Sequence, residues 1–266
     1  KAAVHMAQAY SYFTGNVGVA LVTAGPGVTN TITGIANAYL SSSSVLLIGG
    51  CTPLPQSNMG PLQDIPHVEI LKPITKFART ARVAEQVIRE LDLAYSYAQG
   101  TFGEPGPSYL EIPTDILRET VKDKLVLKEW MKEKKIYKLY PNPKDINQAV
   151  NIIKKSRRPL VITGRGARRN EKSIIKFINK YDIPYLDTQD SRGVVPKNNK
   201  NNIFAARTKA IQEADLVLLI GRKLDYQLAF GSPAIFKKAK FIRISSIASE
   251  LTDNRRGCPE IMGDPS

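Results

Sequence analysis

The sequence predicts an α/β protein made of two doubly wound, mostly parallel sheets. Three observations carry this. Short apolar runs that end in Gly or Pro alternate with longer segments of helical periodicity, the pattern of a parallel sheet covered on both faces. The alternation stops once, in a lysine-rich stretch at 121–142, and then resumes. The 266 residues are 42% hydrophobic and 23% charged, enough for two domains of ordinary size and too apolar for a disordered chain.

In the first half, "GVALVTAG" (18–25) reads as a buried strand and "VTNTITGIANAYL" (28–40) as a helix. "SVLLIGG" (44–50) is a second strand stopped by glycines. In "VAEQVIRELDLAYSYAQ" (83–99), Val83, Val87, Ile88, Leu91 and Tyr95 recur at helical spacing. "PSYLEIPTD" (107–115) is a third strand. Residues 121–142 lack a sustained apolar face and finish on Pro-Asn-Pro, so they read as a linker between a domain at 1–120 and another at 143–266. Trp130 reads as a contact that anchors this linker. Beyond it, "KDINQAVNIIKKS" predicts a helix, "PLVITG" (159–164) a strand, "EKSIIKFINKY" a helix and "IPYLDT" a short strand. "ARTKAIQEA" then predicts a helix, and "DLVLLIG" and "KFIRIS" two strands.

The formal charge of +14 suggests a nucleic-acid partner, but its distribution argues otherwise. Residues 1–120 hold 7 Lys/Arg against 9 Asp/Glu, and the remainder holds 31 against 15. The excess lies on helix faces such as "NIIKKSRR", where lysines alternate with core positions and no aromatics are interleaved. These are expected to be solvated faces, with no nucleic acid bound. No apolar run approaches the ~20 residues of a membrane span, so no membrane partner is expected. Two cysteines, Cys51 and Cys258, make neither a disulfide framework nor a metal cluster, so a reducing, cytoplasmic setting and no metal ligands are expected. The first residue is Lys1 rather than Met, which raises the expectation of a longer parent.

The most informative stretch is "LVTAGPGVTN" (21–30). A strand runs into Gly25-Pro26-Gly27 and a helix restarts on Thr29 and Asn30. That places a bend without side-chain bulk at the carboxyl end of a strand, where open α/β sheets bind ligands. The glycines permit close backbone approach, and the helix start is expected to offer unpaired N–H groups. By itself such a bend is also an ordinary strand-to-helix turn.

Four blocks occur in order: "KAAVHMAQAYSYFTG", the segment 18–50 around the glycine bend, "GPLQDIPHVEILKPITKF" and "GEPGPSYLEIPTDIL". Together they resemble the thiamine-diphosphate enzymes of the acetolactate synthase and pyruvate oxidase group, which includes 2-hydroxyacyl-CoA lyase and oxalyl-CoA decarboxylase. The resemblance implies a pyrimidine-binding domain followed by a Rossmann-like central domain. It also implies thiamine diphosphate and Mg²⁺ as cofactors of the full-length protein, and a 2-oxo acid or acyl-CoA as substrate. A homo-oligomer, dimer or tetramer, is implied because family sites lie between subunits. The cofactor ring supplies the electron sink, and the protein mainly positions and desolvates it. By the same resemblance, Gly25, Pro26, Gly27 and Asn30 line the aminopyrimidine pocket, and Gln63 faces the thiazolium side and the substrate. The family's glutamate falls immediately before Lys1. Its Gly-Asp-Gly motif for the diphosphate and metal does not occur; Gly263-Asp264-Pro265 is not that motif. The chain alone is therefore expected to be inactive.

In the second half, Gly164-Arg165-Gly166 follows a strand and precedes a predicted helix, an incomplete dinucleotide fingerprint. In the family this domain binds FAD, or ADP or the ADP portion of a CoA. Arg165, Arg168, Arg169 and Lys223 are candidates to pair with phosphates. Relatives place an acid at the end of the strand "KFIRIS", where this sequence has Ser245 and Ser246. The block 191–231 looks more like the CoA-lyase branch than like acetolactate synthase. Three functions stay open: carboligation or cleavage of 2-oxo acids, 2-hydroxyacyl-CoA or acyl-CoA cleavage, and non-catalytic nucleotide binding. His5 reads as a helix-face packing or hydrogen-bonding residue, His67 as a helix N-terminal residue beside the Gln63 loop, with a place facing the active site as the alternative, and Cys51 as a small residue at a strand end.

Overall fold

The computed structural model describes residues 1–121, 138–255 and 257–265. Most of the expected linker, with Trp130, lies outside the described residues. The chain divides into two compact units, Lys1–Ile136 and Tyr137–Ser266, and each is an α/β layer structure.

Unit 1 opens with helix α1 (Ala2–Thr14), which ends on Gly15 in the left-handed region, and continues into strand β1 (Gly18–Val22). The segment expected as one helix at 28–40 is two: a single turn α2 (Pro26–Thr29) and helix α3 (Ile32–Leu40). At the join the Thr31 hydroxyl donates to the Val28 carbonyl at 2.6 Å, a local bond that competes with the helical ladder. Strand β2 (Val45–Cys51), the short helix α4 (His67–Leu71), strand β3 (Phe77–Thr80), helix α5 (Val87–Gln99), strand β4 (Pro107–Pro113) and helix α6 (Thr114–Arg118) complete the unit. All pairs are parallel, in the order β1-β2-β4-β3. One face, with Ala20, Leu47 and Tyr109, packs on Val4, Ile35 and Leu71, and the other, with Leu46 and Leu110, on Ala94 and Ala98. β4 is buried along its whole length, as a central parallel strand must be. β1 is an edge, and its Val19 and Leu21 remain 53% and 71% exposed.

Unit 2 contains helix α7 (Pro143–Lys155), strand β5 (Pro159–Thr163), helix α8 (Glu171–Tyr181), strand β6 (Tyr185–Asp187) and helix α9 (Arg207–Glu213). Strands β7 (Leu216–Ile220) and β8 (Lys240–Ser245), helix α10 (Ala248–Leu251) and strand β9 (Glu260–Met262) follow. The order β6-β5-β7-β8-β9 is parallel throughout and reverses between β5 and β7, the topological switch point of a doubly wound sheet. α7 starts on an Asn142 cap with Pro143 at its first position. The fold class expected from the sequence is the one observed. β3 and β9 were not expected: they have only four and three residues, lie at sheet edges, and carry little apolar signal.

Asp215, just before β7, clamps the turn that leads into β5. Its carboxylate accepts the Ser156 hydroxyl and the backbone N–H groups of Arg157 (2.8 Å) and Arg158 (3.1 Å). Burial alone would raise its pKa, but these donors outweigh it and hold the group below the ordinary 3.8. A depressed folded-state pKa stabilises the fold above the unfolded value, and that contribution disappears as the pH falls through the folded one. The stability gap between the wild type and Asp215→Asn, measured by urea unfolding, is therefore expected to be full at neutral pH and to close on acidification below about 4.

Candidate functional site

The turn after β1 is fixed by two backbone conformations that meet. Gly25 has φ 60° and ψ −121°, a region open to glycine and strained for other residues. Gln63 has φ 63°. A Cβ on Gly25 would sit 2.7 Å from the Gln63 Cβ, so the turn and the segment before α4 touch at the backbone. A Cβ on Gly27 would lie 2.6 Å from the Thr23 methyl. The glycines are thus required by protein neighbours, Gln63 and Thr23. Pro26 and Asn30 are exposed, and Gln63 is half-buried.

The expectation of unpaired N–H groups at this helix start is corrected. The N–H of Gly27 donates to the Ala24 carbonyl (3.2 Å), and those of Val28 and Thr29 both donate to the Gly25 carbonyl (3.0 and 3.1 Å). Pro26 has no N–H. A single helical turn closes on itself and leaves no amide for an anion. The Gly25 N–H points inward instead and donates to Nε2 of His67 at 2.8 Å.

His67, the first residue of α4, is 2% exposed. Its Nδ1 donates to Oε2 of Glu111 at 3.0 Å. Glu111, on central strand β4 and 7% exposed, also accepts the Tyr109 hydroxyl (3.1 Å) and, on Oε1, the Thr80 hydroxyl (2.7 Å). Burial and then the Glu111 charge push the Tyr109 hydroxyl pKa upward, so it stays a donor. Gly49 on β2 makes room for it: a Cβ there would meet the hydroxyl at 2.5 Å. Cys51 ends β2 nearby. Burial, and after it the charges of Glu111 and Asp115, push its thiol up to about 12, so it is no nucleophile at neutral pH.

The structure therefore joins Gly25, Gly27 and Gln63, and leaves Pro26 and Asn30 exposed on the same turn. Sequence reasoning missed Glu111, Thr80 and Tyr109, and read His67 as a helix-start residue beside the Gln63 loop without its link to Glu111. The available signal was an acidic residue inside the apolar strand "PSYLEIP", which a buried parallel strand excludes unless it has donors.

In unit 2, Gly164, Arg165, Gly166 and the half-buried Lys223 lie on the loops after β5 and β7, at the switch point. These loops pack on each other: Gly164 N–H donates to the Ile220 carbonyl (2.9 Å) and Gly166 N–H to the Gly221 carbonyl (3.0 Å). A Cβ on Gly166 would meet the Gly221 Cα at 2.7 Å. The helix expected directly after Gly166 is only a short 3-10 turn (Arg165–Ala167), and α8 begins at Glu171. Ser245, where relatives carry an acid, donates to Oε2 of the buried Glu250 at 2.7 Å, and Oε1 of Glu250 lies 3.9 Å from Arg165. A carboxylate thus reaches the end of β8 from α10. Among the described residues, no three His, Cys, Asp or Glu side chains gather as a metal-ligand set. No helix among them is long and apolar enough to cross a membrane.

Residues 1–70 match the profile of the thiamine pyrophosphate enzyme N-terminal TPP binding domain, and residues 146–266 that of the thiamine pyrophosphate enzyme central domain. The chain belongs to the thiamine pyrophosphate enzymes. Similar proteins include 2-hydroxyacyl-CoA lyase 1 of Mus musculus, 32% identical over 268 residues covering 99% of this chain and 45% of the relative. The 2-hydroxyacyl-CoA lyase of Arabidopsis thaliana is 32% identical over 277 residues, 99% of this chain and 47% of its own. The 2-hydroxyacyl-CoA lyase 2 of Homo sapiens is 32% identical over 286 residues, 95% of this chain and 45% of its own. The chain spans just under half the length of these relatives.

The glycine turn and the TPP-binding profile lie in the same unit. The exposed Asn30 and the half-buried Gln63 carry amide donors and acceptors beside the small residues of the turn.

Two measurements follow. Gly25→Ala is expected to destabilise unit 1 by roughly 2–4 kcal/mol, from contact with Gln63 and an unfavourable φ together, read by thermal unfolding. In the native protein at pH 8, iodoacetamide is expected to modify exposed Cys258 well before Cys51, read by peptide mass spectrometry.

Proposed function

We propose that the protein carrying this chain is a thiamine-diphosphate-dependent lyase that cleaves the carbon–carbon bond of a 2-hydroxyacyl-CoA. One observation carries the reading: lyases of that name from mammals and plants align with 95–99% of the chain, across both units. Carboligation of 2-oxo acids, as in acetolactate synthase, is the second reading, since the glycine turn and Gln63 suit either chemistry. The bound cofactor supplies an electron sink for bond cleavage next to a carbonyl. The role of this chain is to hold that ring. Gly25, Pro26 and Gly27 provide its wall, and Asn30 and Gln63 provide polar contacts, with Gln63 turned toward the substrate. Mg²⁺ and the diphosphate are held by polypeptide carrying a Gly-Asp-Gly motif, which is not among these 266 residues. The 266-residue chain by itself is therefore expected to be inactive.

In unit 2, Arg165, Lys223 and Glu250 surround the switch point and support an ADP or CoA moiety there. The Gly164 and Gly166 amides, already bonded to the neighbouring loop, lend no support to a phosphate cradle. That counts against ADP, CoA and FAD alike, since each carries a diphosphate. Met6, Tyr10 and Phe13, exposed at i, i+4 and i+7 along α1, support a homo-oligomer that buries this stripe. The cysteine content supports a reducing, cytoplasmic setting.

The test is turnover by the full-length protein with thiamine diphosphate and Mg²⁺, offered a 2-hydroxyacyl-CoA and, separately, pyruvate. Formation of aldehyde and formyl-CoA from the first alone is expected. Activity on pyruvate alone would replace this reading with the second.

A further inference from the structure

We infer that His67 and Glu111 are a positioning pair that sets the ring wall, tying the Gly25 turn to the middle of the sheet. The inference rests on reading that turn as the thiamine wall. The Gly25 N–H is the turn's inward-facing donor, and it ends on a side chain rather than on backbone. Because that N–H donates to Nε2, this nitrogen holds a lone pair, and the ring proton sits on Nδ1, facing Glu111. The neutral imidazole thus transmits orientation in one direction only: carboxylate to Nδ1–H, then Nε2 to amide.

Glu111 cannot drift, because Tyr109 and Thr80 hold its two oxygens from β4 and β3. α4 carries His67 at its first position, so the imidazole is placed at the end of the segment that also holds Gln63. The arrangement therefore fixes both sides of the candidate wall. Gly25 is held by hydrogen bonding, and Gln63, four residues before His67, is held by contact with Gly25. An apolar residue at 67 would fill the same volume but leave the Gly25 N–H without a partner and take one of the two donors from Oε2 of Glu111, and the turn would relax.

The test compares the full-length wild type with His67→Leu, His67→Gln and Glu111→Gln. A glutamine at 67 carries an acceptor for Gly25 and a donor for Glu111 in one side chain. Two readouts are used: hydrogen–deuterium exchange of the peptide spanning residues 21–30 without cofactor, and thiamine diphosphate affinity by calorimetry. His67→Leu is expected to speed exchange at the turn and to weaken cofactor binding about 10- to 100-fold, the usual range for one stranded buried hydrogen bond. His67→Gln is expected to recover both to within about threefold, and Glu111→Gln to fall between. If His67→Leu folds and neither readout moves, or His67→Gln recovers melting temperature without affinity, the pair is structural and the inference fails. If His67→Leu does not fold, Glu111→Gln decides on the same readouts, and unchanged exchange and affinity there overturn the inference. If the wild type binds no thiamine diphosphate, the cofactor reading is what fails. The exchange data then still decide whether His67 holds the turn.

Discussion

A carboxylate at the centre of a parallel sheet has to be surrounded by donors, and in unit 1 that requirement organises everything near the glycine turn. Glu111 stands on β4, flanked by β2 and β3, where water does not compensate its charge. Its donors come from three places: its own strand, the edge strand β3 and helix α4. Each is held by geometry the sequence supplies elsewhere, most visibly at Gly49, where a side chain would displace the Tyr109 hydroxyl. The outermost member of the set is the Gly25 amide. The shape of a surface turn is thus decided by a charge buried beneath it.

Much of the architecture was legible because parallel strands buried on both faces leave long apolar runs. "LVLLI" in β7 and "VLLIGGC" in β2 need no context to be read. β3 and β9 were not legible because an edge strand is paired on one side only, and "FART" carries as much charge as apolar weight. The turn at Gly25 was legible as a bend, but the expectation that its N–H groups are unpaired was not met. Sequence shows that a glycine is needed and cannot show which neighbour needs it. Here the neighbour is Gln63, 38 residues further on. The His67–Glu111 contact was hidden for the same reason, since nothing local links a helix-start histidine to a strand glutamate 44 residues away.

Unit 2 repeats that lesson at its own switch point. Gly164 and Gly166 look like a phosphate loop, and the packing of Gly221 and Arg222 against them already requires glycine there. At the end of β8, Ser245 donates to Glu250, a buried carboxylate that α10 brings to this point of the sheet. Sequence order does not show such an approach, because the carboxylate comes from the next helix and not from the strand.

The edge of unit 1 has a consequence for how the protein associates. β1 pairs with β2 alone among the described strands, and Val19 and Leu21 face outward beside its unpaired backbone groups. An edge strand with outward apolar side chains is open to pairing with a further strand, so whatever covers β1 decides whether unit 1 stays apart or associates.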